Sequence, residues 1–417
     1  MRFGRKTVFM ILAAFVLLSE LGCGDQYRPV ANPVVSPGGQ PQSTHFAWVL
    51  NYNPSGDGST TEIDVSGDTN LAVNTMGVSS SSEAFPSNSL SLYVANQGDD
   101  TVNQYLPTLS GAITTISLLP GSHPVALTSA TNSFMYVLNA GSNSACPTTG
   151  SISSISTATL SVTNTTCVGP NPIAMVQAPT NGYIYVINQG DNSVSVFNPS
   201  AVTIVGTLTT QLGLGLNPVA LAVNAQGWIF IVTQGDGVTP GTLDLVPTGY
   251  FYIAGTTPLG VLPTHAVIDP NRNRLYVTNS GDNTVSVFDA SSITQQGTPP
   301  LPLLATVPVG TQPISVTALL DGTNFYVANA GSDNVTVVSQ SSFTPLATVA
   351  LPSGANPVWI AADPTSQKVY VAEAGTAETT IIQTSNNTIT QSISAPAQVS
   401  GCTSSCALQT PVMILSQ

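Results

Sequence analysis

Charge is what this chain lacks most. Of its 417 residues, 6% are Asp, Glu, Lys or Arg, and seven Lys and Arg stand against twenty Asp and Glu, for a formal net charge of −13. An average soluble domain carries roughly 25% charged residues. Three of the basic residues, Arg2, Arg5 and Lys6, sit at the very start, which leaves Arg28, Arg272, Arg274 and Lys368 for the remainder. Binding to nucleic acid or another polyanion takes clustered Lys and Arg, so such partners are not expected. Solubility must rest on Ser, Thr, Asn and Gln. Histidine is equally scarce: His45, His123 and His265 are the full set. No Gly-x-Ser-x-Gly elbow appears, so a Ser-His-Asp triad cannot be nominated. Cys-x-x-Cys-His is absent too, which removes a c-type haem attachment site. No catalytic set, metal site or cofactor is therefore assigned. Beyond the N-terminus no apolar run is long enough to span a bilayer.

The N-terminus carries an address. The basic start is followed by a short apolar run over residues 7–18 and then by Leu21-Gly22-Cys23-Gly24. Such a start describes a secretory signal peptide. With Cys directly after Gly, it resembles a bacterial lipoprotein signal, in which the Cys becomes the lipidated first residue. Glu20 stands where that pattern usually has Leu. The resemblance implies a signal peptide over residues 1–22, lipidation at Cys23 and membrane attachment through that lipid. Gly24 in place of Asp after the Cys resembles outer-membrane sorting in a Gram-negative host. Residues 23–44, with Pro29, Pro33, Pro37, Pro41, Gly38 and Gly39, read as a tether. A folded domain is expected over 45–417.

That domain is repetitive. Tyr276-Val277-Thr278-Asn279-Ser280-Gly281-Asp282-Asn283-Thr284-Val285-Ser286-Val287-Phe288 reads as strand, tight turn, strand. The first limb is aromatic and β-branched, the middle is a cluster of turn residues, and the second limb alternates apolar and polar. The aromatic strand recurs around Trp48, Tyr93, Tyr136, Tyr185, Phe230, Tyr276, Tyr326 and Tyr370. Most copies end in Asn three residues later; Thr233 and Glu373 replace it in two. A second element precedes most copies: a Pro followed by small and apolar residues, at Pro124, Pro172, Pro218, Pro263, Pro313 and Pro357. Pro is tolerated at the first residue of a strand, where no ladder donor is needed. Units of 40–50 residues holding about four short strands are the mark of a β-propeller.

The motif itself resembles the YVTN-repeat, lactonase-like β-propeller family, over roughly His45 to the C-terminus. The resemblance implies an all-β propeller in which the Pro-led strand is innermost. It is weak for function, because one fold hosts many activities. The repeat count gives about eight four-stranded blades, or seven if residues 79–91 or 237–253 do not form a full blade. Thr410-Pro411-Val412-Met413-Ile414-Leu415 looks like a Pro-led strand with no partner after it, and the strand at Trp48 has none before it. The C-terminal strand is therefore expected to complete the first blade and close the ring, removing two exposed edges.

Of five cysteines, four follow Cys23: Cys146, Cys167, Cys402 and Cys406. An even number in an exported chain suggests two disulfides, with the connectivity open. Their spacing lacks a second close pair and a nearby His, which argues against zinc. The Gly-Asp-Asn turns admit a calcium-loop reading, but a tight hairpin supplies few of the six or more oxygens calcium needs. Turn chemistry explains them better.

If the Pro-led strand lines the axis, the residues just before each Pro ring the axis mouth. They are His123, Asn171, Asn217, Gln312 and Asn356, with Thr410 from the closing strand. Outside them lie the turns with Asp99, Asp191, Asp236, Asp282 and Asp333. One reading has these amides only tying repeats together. The other makes a polar funnel with an acidic rim, suited to a neutral or cationic ligand such as a glycan or peptide. The expected function is thus a monomeric, envelope-anchored propeller acting as a binding scaffold for a protein, peptide or glycan, probed first through the mouth residues. The alternatives are a lactonase-like hydrolase acting on an uncharged lactone and an accessory propeller of a periplasmic redox system.

Overall fold

The computed structural model describes residues 46–53, 56–64, 68–84, 91–106, 112–131, 133–291, 293, 300–396 and 409–416. Cys23, His45, Cys402 and Cys406 lie outside them, as do the expected signal peptide and tether.

Eight antiparallel sheets of four strands form a closed ring. Blade 1 is built from Phe46–Tyr52, Asp57–Asp64 and Thr69–Val78, with Thr410–Ser416 as its innermost strand. Blades 2 to 8 follow in chain order over residues 80–117, 124–167, 172–208, 218–261, 263–308, 313–350 and 357–394. Blades 2 and 5 each hold four strands, so the ring has eight blades and not seven. Each innermost strand touches those of its two neighbours, including the closing strand with blades 8 and 2. The C-terminal strand pairs with the first, Val49 opposite Ile414 and Trp48 opposite Leu415. Lys368 of blade 8, nearly buried, pairs with Asp68 of blade 1 across the same seam. Thr390 Oγ1 adds a hydrogen bond to the other oxygen of that carboxylate, at 3.1 Å.

The core lies between blades, because successive side chains of a strand point to opposite faces of its sheet. Tyr276, Val285 and Val287 of blade 6 pack on Val316, Phe325 and Val327 of blade 7. Leu275 and Val277, on the other face, pack on Phe230 and Leu243 of blade 5. The aromatic of each motif is buried, and burying such a side chain contributes roughly 2–3 kcal/mol. Its hydroxyl needs a partner: Tyr276 Oη meets Gln340 Oε1 at 3.3 Å, and Tyr326 Oη meets Asn387 Oδ1 at 2.6 Å. Burial pushes the Tyr276 phenol up to about 12.

The motif Asn is a buried bracket. Asn279 Nδ2 donates to Thr284 Oγ1 and Ser286 Oγ on the next strand, at 3.1 and 3.0 Å. Its Oδ1 accepts from Gly260 N near the end of blade 5's outer strand, at 3.2 Å. Gly260 stands three residues before the strand-leading Pro263, as Gly121, Gly169, Gly215, Gly310 and Gly354 stand before theirs. A Cβ at Gly260 would lie 2.7 Å from the Asn279 amide carbon, so only glycine lets this strand end come so close. In blade 3, Cys146 and Cys167 form a disulfide with Cα atoms 5.5 Å apart, fixing an enlarged turn to the outer strand.

Candidate functional site

The residues before each inner-strand Pro gather at one end of the ring axis. All five candidates hold a left-handed backbone, with φ of +48° at His123, +47° at Asn171, +54° at Asn217, +53° at Gln312 and +44° at Asn356. Ser79 and Leu262 occupy the matching positions in blades 2 and 6 with the same sign. Asn visits this region more readily than most residues. Part of the amide enrichment therefore has a backbone cause.

The turns beside them are fasteners between blades. Asp100 Oδ1 accepts from His123 N at 2.7 Å, and Asn192 Oδ1 from Asn217 N at 2.8 Å. Asn283 Oδ1 accepts from Gln312 N, and Asp333 Oδ1 from Asn356 N, both at 2.9 Å. Each turn residue comes from the preceding blade and itself has positive φ. The expected acidic rim is also engaged, across blades at Asp282 and within its own turn at Asp191 and Asp236. Asp282 Oδ2 accepts from Val261 N at 2.6 Å, and Asp191 Oδ1 from Ser193 Oγ at 2.7 Å. Three hydrogen bonds from Val238 and Thr239 hold the Asp236 carboxyl down to about 2.

The five mouth candidates then divide. Asn217 is tied: its Oδ1 accepts from Gln189 Nε2 at 3.0 Å and its Nδ2 donates to Gln234 Oε1 at 2.9 Å. Gln234 Nε2 donates on to Pro263 O at 2.8 Å, so one chain of amides crosses blades 4, 5 and 6. His123 Nδ1 sits 3.1 Å from Gln97 O and 4.0 Å from Asp100 Oδ1. Asn171, Gln312 and Asn356 are exposed, and among the described residues their side-chain amides bond to nothing. A cavity of about 600 Å³ opens between blades 6 and 7, lined by Leu262, Ser280, Asn283, Gln312 and Ile314 among others.

Further down the axis, His265 of blade 6 reaches past the inner edge of blade 7. Its Nδ1 accepts from Val316 N at 3.4 Å, and its ring lies 5.3 Å from that of Trp359 on blade 8, tilted 64°. Loss of solvent lowers the imidazole to about 4, so it is neutral at physiological pH with the proton on Nε2. Thr264 Oγ1 adds a bond to Pro313 O on the same blade 7 edge, at 3.1 Å, and Ser81 Oγ donates to Pro124 O on the inner edge of blade 3, at 2.7 Å. The His265–Trp359 pair was not anticipated. Its signal was in the repeats: both stand two residues after the Pro, where other blades carry Ala126, Ala174, Ala220 and Ser315.

On the opposite face the basic groups are engaged. Arg272 Nη2 donates to Asp321 O at 3.1 Å and Nη1 meets Asp269 Oδ2 at 3.5 Å. Arg274 Nη1 donates to Gln340 O at 2.6 Å, and its guanidinium lies 5.0 Å from the Phe343 ring centre. With Lys368 held by Asp68, every basic side chain of the described residues serves an internal contact. An anion such as a phosphosugar therefore finds no uncommitted cation there.

No protein-family model matches the chain, and no curated protein does. Solved structures do. Dihydro-heme d1 dehydrogenase NirN, in complex with DHE, aligns over 89% of this chain and 74% of its own, at a TM-score of 0.68 and 11% identity. AztD from Citrobacter koseri aligns over 89% and 98%, at 0.56 and 14%. Hydrazine synthase from Kuenenia stuttgartiensis aligns over 73% and 95%, at 0.54 and 15%. At these identities the likeness is one of fold. The chain is an eight-bladed β-propeller whose neighbours include AztD and NirN.

Proposed function

We propose that the protein is a binding propeller of the YVTN-repeat type that receives a neutral or cationic ligand, a glycan or peptide, at the axis mouth. The observation that carries this reading is the set of exposed, unbonded amides at Asn171, Gln312 and Asn356, with the cavity beside Gln312. Uncharged donors and acceptors with little fixed charge suit such a ligand, and clefts of this size are where ligands bind. His123 and Asn217 serve mainly to join blades. In this reading the chain is exported and held in the envelope by a lipid on Cys23. Replacing Cys23 by Ser then moves it from the membrane to the soluble fraction.

The test is a screen of the chain without residues 1–44 against neutral oligosaccharides and a peptide library. The same screen is run on Gln312→Ala/Asn356→Ala. Binding to the parent and loss in the variant, at unchanged Tm, is the expected result. Retention of binding by the variant sinks the mouth as the site. Hydrolysis of a neutral lactone that falls in the same variant replaces the reading with a lactonase-like hydrolase.

A further inference from the structure

The loop over residues 248–254 of blade 5, Thr-Gly-Tyr-Phe-Tyr-Ile-Ala, is unlike its counterparts. It joins the third and outer strands at the face opposite the mouth. In blade 4 the same join is Pro199-Ser200-Ala201-Val202, and in blade 7 Gln340-Ser341-Ser342-Phe343-Thr344. Blade 5 instead shows Tyr250 at 55% and Tyr252 at 47% exposure, their rings 5.8 Å apart and near edge-to-face at 71°. Among the described residues neither phenol hydroxyl has a partner.

The loop is pinned from below. Phe251, itself 36% exposed, lays its ring against Gly206 of blade 4, where any Cβ would strike it. Ile253 packs with Leu208, Leu214 and Val246 between the two blades. Gly249 N donates to Tyr185 Oη at 3.1 Å, Thr248 N to Gly227 O at 2.9 Å, and Thr248 Oγ1 pairs with Thr180 Oγ1 at 2.7 Å. Ile253 faces in and Phe251 rests on blade 4, while the two tyrosines that the fold does not use face out. Tyr offers a large rigid surface at low entropic cost, and fixing it beforehand cuts the cost of binding.

The surroundings select the ligand. The neighbouring turns of blades 4 and 5, residues 178–183, 198–202 and 224–227, hold no Asp, Glu, Lys or Arg, and neither does the loop. Asn181 is exposed beside Gly249; its Oδ1 accepts from Tyr183 N at 3.0 Å, which leaves its Nδ2 as a donor at the platform edge. A membrane surface would be met with Lys or Arg. Two amphipathic rings at an angle, flanked by an amide and free of charge, match a neutral sugar chain, whose C–H faces stack on rings while its hydroxyls take hydrogen bonds.

We infer that Tyr250, Tyr252 and Asn181 form a second site, for a neutral oligosaccharide, on the face opposite the axis mouth. The experiment is calorimetric titration of the chain without residues 1–44 with chitohexaose, cellohexaose and maltohexaose. At least one is expected to bind, with Tyr250→Ala/Tyr252→Ala weakening it about tenfold or more. Tm should not move, since both rings are exposed. Gln312→Ala/Asn356→Ala should leave this binding intact, which separates the site from the mouth. The inference is overturned if none of the three binds, or if binding survives loss of both tyrosines. It is also overturned if a photo-crosslinker at position 252 captures envelope protein while the sugars do not compete.

Discussion

Blades 5 and 6 are neighbours with one strand order and different chemistry at the same place. In blade 6, Asn279 brackets two hydroxyls and receives Gly260 N. In blade 5 the motif Asn is Thr233, whose Oγ1 lies 2.6 Å from Thr242 Oγ1. The linker N–H has moved with it: Gly215 N donates to Asp244 Oδ2 at 2.7 Å. Asp244 stands opposite Ile231 as Ser286 stands opposite Val277, and its other oxygen accepts from Thr256 Oγ1 at 2.8 Å. What these two blades share is therefore not the Asn but an acceptor for the glycine N–H three residues before the Pro. Burial raises the Asp244 carboxyl above its ordinary range, opposed by the hydrogen bonds it receives. Of the two, the irregular blade carries the exposed tyrosines on its loop.

The comparison holds only in a closed ring, so the largest effect is expected from opening it. Truncation after Gln409 removes the strand that pairs with Phe46–Tyr52, along with buried Ile414 and the packing of Val412. Each ladder hydrogen bond lost is worth roughly 0.5–1.5 kcal/mol net. A fall in Tm with aggregation is expected by scanning calorimetry. A truncated chain that melts like the parent would mean the seam at Lys368 and Asp68 is enough.

Next comes the acceptor itself. Asp244→Ala leaves Gly215 N and Thr256 Oγ1 without their partner, at a cost of about 2–4 kcal/mol. Rewriting blade 5 as blade 6, with Thr233→Asn and Asp244→Ser together, should recover most of that in urea denaturation. If the double variant is no better than the sum of its parts, the acceptor has not been exchanged.

Acid separates the blades further. His265 has its pKa lowered from 6.5 to about 4, so the unfolded chain binds the extra proton first. Stability from this group is complete above pH 6.5 and is lost as pH falls towards 4, by about 3 kcal/mol at most. His265→Gln should flatten that part of the pH–stability curve. Glu62 of blade 1 works in the opposite sense: desolvation raises it from 4.5 to about 7, so its contribution is lost as pH rises between those values. Glu62→Gln should raise Tm at pH 8 and change little at pH 4.

The smallest effect is expected at the mouth. Gln312→Ala and Asn356→Ala each remove an exposed amide with no partner, and surface changes of this kind stay within about 0.5 kcal/mol. A larger loss would show that these side chains join blades as Asn217 does.

The sequence alone determined the ring. Strands whose two faces pack on neighbours leave a period-two pattern, and tight turns leave Gly-Asp-Asn, so the repeats and the closing strand were legible in one dimension. The five mouth positions were legible as places, because a Pro marks each strand start. Their roles were not. Whether an amide beside the Pro is free, like Gln312, or spent, like Asn217, depends on what the preceding blade and its own blade bring within hydrogen-bond reach, here Gln189 and Gln234. The same holds for His265, which meets Trp359 two blades away across the channel. Local pattern fixes secondary structure and turns because those contacts lie within one repeat. Partners between blades join side chains to a neighbouring repeat, from 23 residues away at His123 and Asp100 to the more distant His265 and Trp359, and only the packed ring decides them.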